Sequence, residues 1–211
     1  MNQFDALIFD MDGTLWDAVD SYCRVWDITF AQVGFPQLTV GRDELISCMG
    51  MPIGEIYRRL IDIPLPRRRF LRALDRNEEL LMPVLGGKLY PGVAELIPQL
   101  AERYSLFMVS NCGALGLVNF LTFTGLGPYI TDILSYGQTG LEKDGNIRLL
   151  RQRYNLRNPI YIGDTAGDCR HAHAAGIPMM HAAYGFGQAP DAEYSAPTFA
   201  DVARFFLDNG K

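Results

Sequence analysis

Asp10 and Asp12 stand two residues apart and are followed at once by Gly13 and Thr14, and a second acidic pair, Asp164 and Asp168, stands four residues apart in Gly163-Asp164-Thr165-Ala166-Gly167-Asp168. Side chains at i and i+2 leave an extended chain on the same side, and a glycine beside them lets the backbone turn closely around whatever they hold. If a strand ends at Asp164 and a helix begins at Thr165, the second spacing sets Asp168 one turn along, within reach of the same point. Carboxylates gathered at one point repel, raise one another's pKa and destabilise the chain unless a cation neutralises them. Oxygen-only ligation selects a hard ion. Mg²⁺ in particular takes one or two carboxylates, several waters and a substrate phosphate oxygen, so the acidic set, a phosphate and Mg²⁺ explain one another.

Each pair also has a plainer reading. An Asp-Gly segment forms Asx turns, and acids in a first helical turn favour its positive end. The decision rests on both pairs arriving at one place, which depends on the elements that carry them. Phe4 to Phe9 is a short apolar run without helical periodicity that ends in Asp10, as a buried parallel strand would. Leu106 to Val109 ends at Ser110 in the same way, and Ile160 to Ile162 passes through Gly163 to Asp164. Each run delivers a polar side chain at its carboxyl end, the edge where open α/β sheets bind ligands. Crossover helices are predicted near 113–124, 145–155, 165–175 and 198–208, with further strands at Asp132 to Tyr136 and Pro178 to Ala183. The fold class is therefore α/β, a doubly wound parallel sheet.

Residues 16–86 read differently. Tyr22, Val25, Trp26, Phe30 and Val33, then Ile53, Ile56, Tyr57 and Leu60, then Phe70, Leu74, Leu81 and Leu85 recur at helical spacing. An all-helical cap domain inserted after the first strand is predicted over 16–86, with 1–15 and 87–211 forming the catalytic core and Gly86-Gly87 a hinge. Asp17 is expected to N-cap the first cap helix, and Gly50-Met51-Pro52 to form a loop facing the substrate.

Composition narrows the partners. With 48% hydrophobic and 20% charged residues the chain is an ordinary globular one. A net charge of −5 carries no broad basic field, so no nucleic-acid partner is expected and a small substrate fits better. No apolar stretch approaches a membrane span and no basic leader precedes Phe4, which makes a cytoplasmic location the expectation. Cys23, Cys48, Cys112 and Cys169 are far apart and read as reduced thiols. His171 and His173, two apart on a predicted helix, face different directions and make a poor metal pair; Arg58, Arg59 and Arg67 to Arg69 read as a solvated face.

Taken together these residues resemble the haloacid dehalogenase-like superfamily, in its phosphatase branch with a helical cap and, within that, phosphoglycolate phosphatase-like enzymes. The resemblance covers nearly the whole chain. The first motif matches Asp10 to Thr14, the second Ser110 in Val109-Ser110-Asn111, the third Lys143, and the fourth Gly163 to Asp168. Lysine is scarce here, three against sixteen arginines, which leaves Lys143 few rivals, although Asp144 stands where related phosphatases usually have proline. The resemblance implies Asp10 as a nucleophile that forms an aspartyl-phosphate and Asp12 as the general acid and base. It implies Ser110, Asn111, Lys143 and Thr14 around the phosphate, and Mg²⁺ held by Asp10, the Asp12 carbonyl, Asp164 and, directly or through water, Asp168. Four aspartates against Mg²⁺ and one lysine leave a net charge of about −1. An acid two residues after the nucleophile argues against dehalogenation, because a phosphoryl-transfer enzyme needs a proton donor for its leaving group. The expected substrate is a small phosphorylated metabolite. A sugar-phosphate mutase of the β-phosphoglucomutase kind, a pyrophosphatase and an inactive phosphate-binding regulatory homologue remain as alternatives.

Overall fold

The computed structural model describes residues 4–208. The chain begins with β1 (Ala6–Phe9) and β2 (Trp16–Asp17), then runs through four helices: α1 (Val19–Val33), α2 (Arg42–Ile46), α3 (Ile53–Leu60) and α4 (Arg67–Leu85). It continues with β3 (Lys88–Leu89), α5 (Val93–Ala101), β4 (Ser105–Ser110), α6 (Gly116–Thr124), a 3-10 turn at Gly127–Tyr129, β5 (Asp132–Ser135) and α7 (Tyr136–Thr139). The last part is α8 (Lys143–Tyr154), β6 (Pro159–Gly163), α9 (Ala166–Ala174), β7 (Met179–Ala182), β8 (Tyr194–Ala196) and α10 (Phe199–Asp208).

Six strands form one parallel sheet in the order β5-β4-β1-β6-β7-β8. The predicted α/β class holds for a simple reason: β1 reads Ala-Leu-Ile-Phe and is buried throughout, so it belongs inside a sheet covered on both faces. Ile8, Phe107 and Tyr161 face one layer, and Leu7, Phe9, Leu106 and Ile160 the other. Because β4 and β6 flank β1, the chain leaves the central strand toward opposite sides, which opens a crevice at its carboxyl end.

The helical insertion is held by its own apolar core. Trp26 and Phe30 of α1 meet Phe70 of α4 with ring centroids 5.2 and 5.0 Å apart. Inside that contact Asn77 Nδ2 donates to Thr29 Oγ1 at 2.9 Å, so the buried polar pair is satisfied.

Two expectations need correction. Residues 16–86 are not helical at their start, since Trp16–Asp17 pairs antiparallel with Lys88–Leu89 where the chain enters and leaves the insertion. Two-residue strands are too short to show an alternating pattern. Ala18, not Asp17, occupies the N-cap position of α1, although the Asp17 carboxylate still accepts the Val19 N–H at 3.1 Å and pairs with Arg42. α5 and β8 leave little trace in the sequence, because Pro98 inside α5 and the three-residue length of β8 weaken their patterns.

Candidate active site

Three neighbouring strands bring the acidic pairs and Ser110 to one sheet edge. Asp10 follows β1 and keeps the pairing with β6, its N–H bonded to the Ile162 carbonyl at 2.9 Å. Ser110 closes β4 and Asp164 follows β6. The turn after Asp10 folds tightly, with Leu15 N–H reaching the Met11 carbonyl at 2.9 Å. Gly13 is required in that turn: its φ is +77°, and a Cβ there would lie 2.2 Å from Asp164 Oδ2.

Lys143, 1% exposed, occupies the centre of the acidic group. Its ammonium donates to Asp10 Oδ2 at 2.7 Å and to Asp168 Oδ1 at 2.5 Å. Burial disfavours its charge, but Asp10 and Asp168 reverse that and hold its pKa well above the ordinary lysine value. The other Asp168 oxygen closes a capping box at the start of α9, accepting the Thr165 N–H at 2.9 Å and the Thr165 hydroxyl at 2.7 Å while Thr165 Oγ1 accepts the Asp168 N–H. Both oxygens of Asp168 therefore have protein partners, and despite its burial these keep its pKa below the usual carboxylate range.

The remaining carboxylates are under-neutralised. Burial, offset in part by Lys143, pushes Asp10 up to about 6. Burial together with Asp168 and Asp10 raises Asp164 well above the usual range, although its Oδ2 accepts the Phe186 N–H at 2.7 Å. Asp10 Oδ1 is buried with no hydrogen-bond partner among the described residues. An orphaned anionic oxygen inside a protein costs several kcal/mol unless something cationic completes it. Carboxylate oxygens of Asp10, Asp164 and Asp168 lie within 4.8 Å of one another, close enough to share one ion. The donor set is all oxygen, so the group fits a hard divalent cation.

Asp12 is set apart from this group by its partners. Trp16 Nε1 donates to its Oδ1 at 2.9 Å and the Tyr22 hydroxyl to its Oδ2 at 3.4 Å. Burial and the nearby Asp10 push Asp12 up to about 7. A carboxyl near neutrality exchanges a proton at physiological pH.

Above these residues lies a cavity of about 300 Å³, walled by the sheet edge below and the helical insertion above. Asp10, Asp12, Ser110 and Asn111 line its floor, while Trp26, Leu45, Met49, Ile53, Ile56 and Met82 supply an apolar roof. The Gly50 carbonyl, in the loop before α3, accepts from Asn111 Nδ2 at 2.8 Å and ties roof to floor.

The family model for haloacid dehalogenase-like hydrolases matches residues 7–182. The chain belongs to this family. Among curated relatives, a phosphoglycolate phosphatase of Rhodobacter capsulatus is 28% identical over 209 residues, which cover 94% of this chain and 93% of that protein. A plasmid-borne phosphoglycolate phosphatase of Cupriavidus necator is also 28% identical, over 86% of this chain and 81% of its own. Among solved structures, a predicted phosphoglycolate phosphatase from Haemophilus somnus superposes with a TM-score of 0.84 at 20% identity, covering 97% of this chain and 99% of that one. CbbY from Rhodobacter sphaeroides in complex with phosphate gives 0.79 at 21% identity, over 94% and 96%.

The residues singled out in the sequence thus fall in three places within this haloacid dehalogenase-like chain. Asp10, Asp12, Ser110 and Asn111 line the cavity, and Lys143, Asp164 and Asp168 surround Asp10 without lining it. Thr14 does neither: it is fully buried, its carbonyl accepts the Tyr184 hydroxyl at 2.8 Å, and its Oγ1 has no partner. The expected Thr14 phosphate contact has no geometric support, because the tight turn sets that side chain in the interior. His171 and His173 diverge, one toward Asp144 and the other toward Glu193. Trp16 and Tyr22 are partners of Asp12 that the sequence does not disclose; Tyr22 reads as part of an apolar helix face, and only proximity in space reveals the two bonds. Among the described residues no helix is long and apolar enough to cross a membrane.

Proposed function

We propose that this chain is a Mg²⁺-dependent phosphomonoesterase that acts on a small phosphorylated metabolite through an aspartyl-phosphate on Asp10. The observation that carries the reading is Asp10 itself: at the end of the central strand, on the cavity floor, with one oxygen on Lys143 and the other without a partner. The names of the relatives bring phosphoglycolate into the panel of compounds to be tried.

In this reading an Asp10 carboxylate oxygen attacks phosphorus, the bond from phosphorus to the alcohol oxygen breaks, and Asp12 gives its proton to the departing alkoxide. Water then attacks phosphorus, Asp12 takes the water's proton, and the acyl-phosphate bond breaks to return Asp10 and release orthophosphate. The Trp16 and Tyr22 bonds aim Asp12 for both transfers. Ser110 and Asn111 offer donors to the phosphoryl oxygens from the loop after β4, and Lys143 steadies the charge on Asp10. Asp10, Asp164 and the Asp12 carbonyl would hold Mg²⁺, which when bound supplies charge neutralisation for the phosphoryl group. Asp168 is assigned to positioning Lys143, its two oxygens being taken.

The helical insertion, 16–86, serves as a cap over a core of 1–15 and 87–211, with the β2/β3 ribbon at the double crossing. A closed cap keeps out bulk water and large substrates. The test is phosphate release from an aryl phosphate with Mg²⁺: Asp10→Asn should fall to background with its thermal unfolding intact, and retained turnover removes Asp10 from the mechanism.

A further inference from the structure

The cavity over Asp10 is acidic well beyond the residues that catalysis uses. Its charged lining consists of Asp10, Asp12, Asp75, Glu78 and Glu79, with no lysine, arginine or histidine. The last three come from α4, spaced three and four apart, where like charges on a helix repel. No ion pair engages any of them among the described residues. The arginines of the same helix, Arg68, Arg69, Arg72 and Arg76, line a neighbouring cleft that the exposed Asp75 and Glu79 also border, so that of the three acids half-buried Glu78 faces the catalytic cavity alone.

Two of these carboxylates point at the loop that follows Ser110. A Cβ placed on Gly113 would lie 3.6 Å from Asp75 Oδ1 and 3.9 Å from Glu78 Oε2. In the same loop Asn111, 7% exposed and lining the cavity, has an Oδ1 with no partner. Burial, Asp75 and Asp12 push half-buried Glu78 up to about 8, with no cation to oppose them. Three aromatic side chains, Trp16, Tyr22 and Trp26, line the same space. Acceptors without donors, carboxylates without counter-ions and aromatic faces together are the environment that binds an ammonium group. At about 300 Å³ the cavity stands at the small end of ligand pockets.

We propose that the preferred substrate is a phosphomonoester of a small alcohol bearing a cationic ammonium group, which Asp75 and Glu78 receive, and that carboxylate-bearing phosphomonoesters are disfavoured. The proposal rests on the phosphomonoesterase reading and adds the chemistry of the leaving group. A substrate carboxylate beside Asp75 and Glu78 would meet acidic groups with no cation among the residues that line the cavity, whereas an ammonium would draw Glu78 into its charged form.

The test compares kcat/KM of the full chain with Mg²⁺ on phosphoethanolamine, phosphocholine, propyl phosphate and phosphoglycolate, with an aryl phosphate as the activity control. At least one of the two cationic esters should exceed phosphoglycolate by about tenfold or more, with propyl phosphate between them. In the double variant Asp75→Asn with Glu78→Gln the gap should close by a similar factor; thermal unfolding checks its fold, and Asp75→Asn alone replaces it if folding fails. Phosphoglycolate equal to or better than both cationic esters overturns the proposal, as does an unchanged ratio in the variant. If even the aryl phosphate is untouched, the phosphatase reading falls. Calorimetric binding of the same four esters then decides the preference: the same order, lost in the variant, upholds it, and a flat or reversed order overturns it.

Discussion

Withdrawing divalent ions should make this protein progressively less stable as pH rises from about 5 to about 8, against the usual behaviour of carboxylates in salt bridges. Asp10 is pushed up to about 6 and Asp12 up to about 7 from an ordinary 3.8, chiefly by burial. Between those values the folded chain retains protons that the unfolded chain has released, so raising the pH favours unfolding. Each unit of difference is worth about 1.4 kcal/mol. Over this window Asp12 accounts for a loss of roughly 2–3 kcal/mol and Asp10 for about 1 kcal/mol more. Asp164, raised by burial and by Asp168 and Asp10, acts in the same direction. Asp168, with its pKa held down by Lys143 despite burial, loses its stabilising contribution only at lower pH, outside the window. The assay is urea unfolding in a chelator at several pH values, repeated with Mg²⁺. An ion on the acidic group should flatten the fall, so its stabilisation should be greatest at the alkaline end. Glu78 adds to the slope because it is pushed up to about 8, and Glu78→Gln removes that share. Metal-free stability that is flat or rising across the window, or a Mg²⁺ effect equal at both ends, refutes the reasoning.

Lys143→Met leaves Asp10 and Asp168 buried without their shared cation; unfolding should show a loss of about 3–5 kcal/mol, and a loss below about 1 kcal/mol contradicts the pairing. Trp16→Phe keeps the packing on Phe120 but deletes the donor to Asp12 Oδ1, so kcat on an aryl phosphate should drop about 10–100-fold, matching the ~1.5–3 kcal/mol of a bond to a charged group. Gly13→Ala forces a side chain into a φ of +77° against Asp164 Oδ2. Its backbone strain alone costs about 1–2 kcal/mol, and activity titrated with Mg²⁺ should show weakened ion binding; an unchanged titration places Asp164 away from the ion.

Much of this architecture was legible because buried parallel strands and amphipathic helices write different periods into a sequence. The runs ending at Asp10, Ser110 and Gly163 became β1, β4 and β6, and the helical spacing from Tyr22 to Leu85 became α1, α3 and α4. The convergence of Asp10, Asp164 and Asp168 followed from strand ends and one helical turn, both matters of local geometry, whereas Lys143 came only from the resemblance to the family's third motif. What escaped depended on distance in space. Nothing in the letters says that Asp75 and Glu78 would sit opposite Gly113, since an acidic helix face is ordinarily solvated. The second duty of Asp168, as the acid of a capping box, was hidden by its first. Thr14 shows the converse, a residue whose place beside the nucleophile in sequence did not become a place beside the cavity.

The two bonds to Asp12 come from different elements, β2 and α1. Trp16, donor to Oδ1, stacks edge-on against Phe120 of α6, on the sheet side, while Tyr22, donor to Oδ2, belongs to α1. If the proposed cap opens, the Tyr22 bond would be lost while the Trp16 bond stays, so the aim of the proton carrier would depend on closure; acceptor and both donors lie within the eleven consecutive residues from Asp12 to Tyr22.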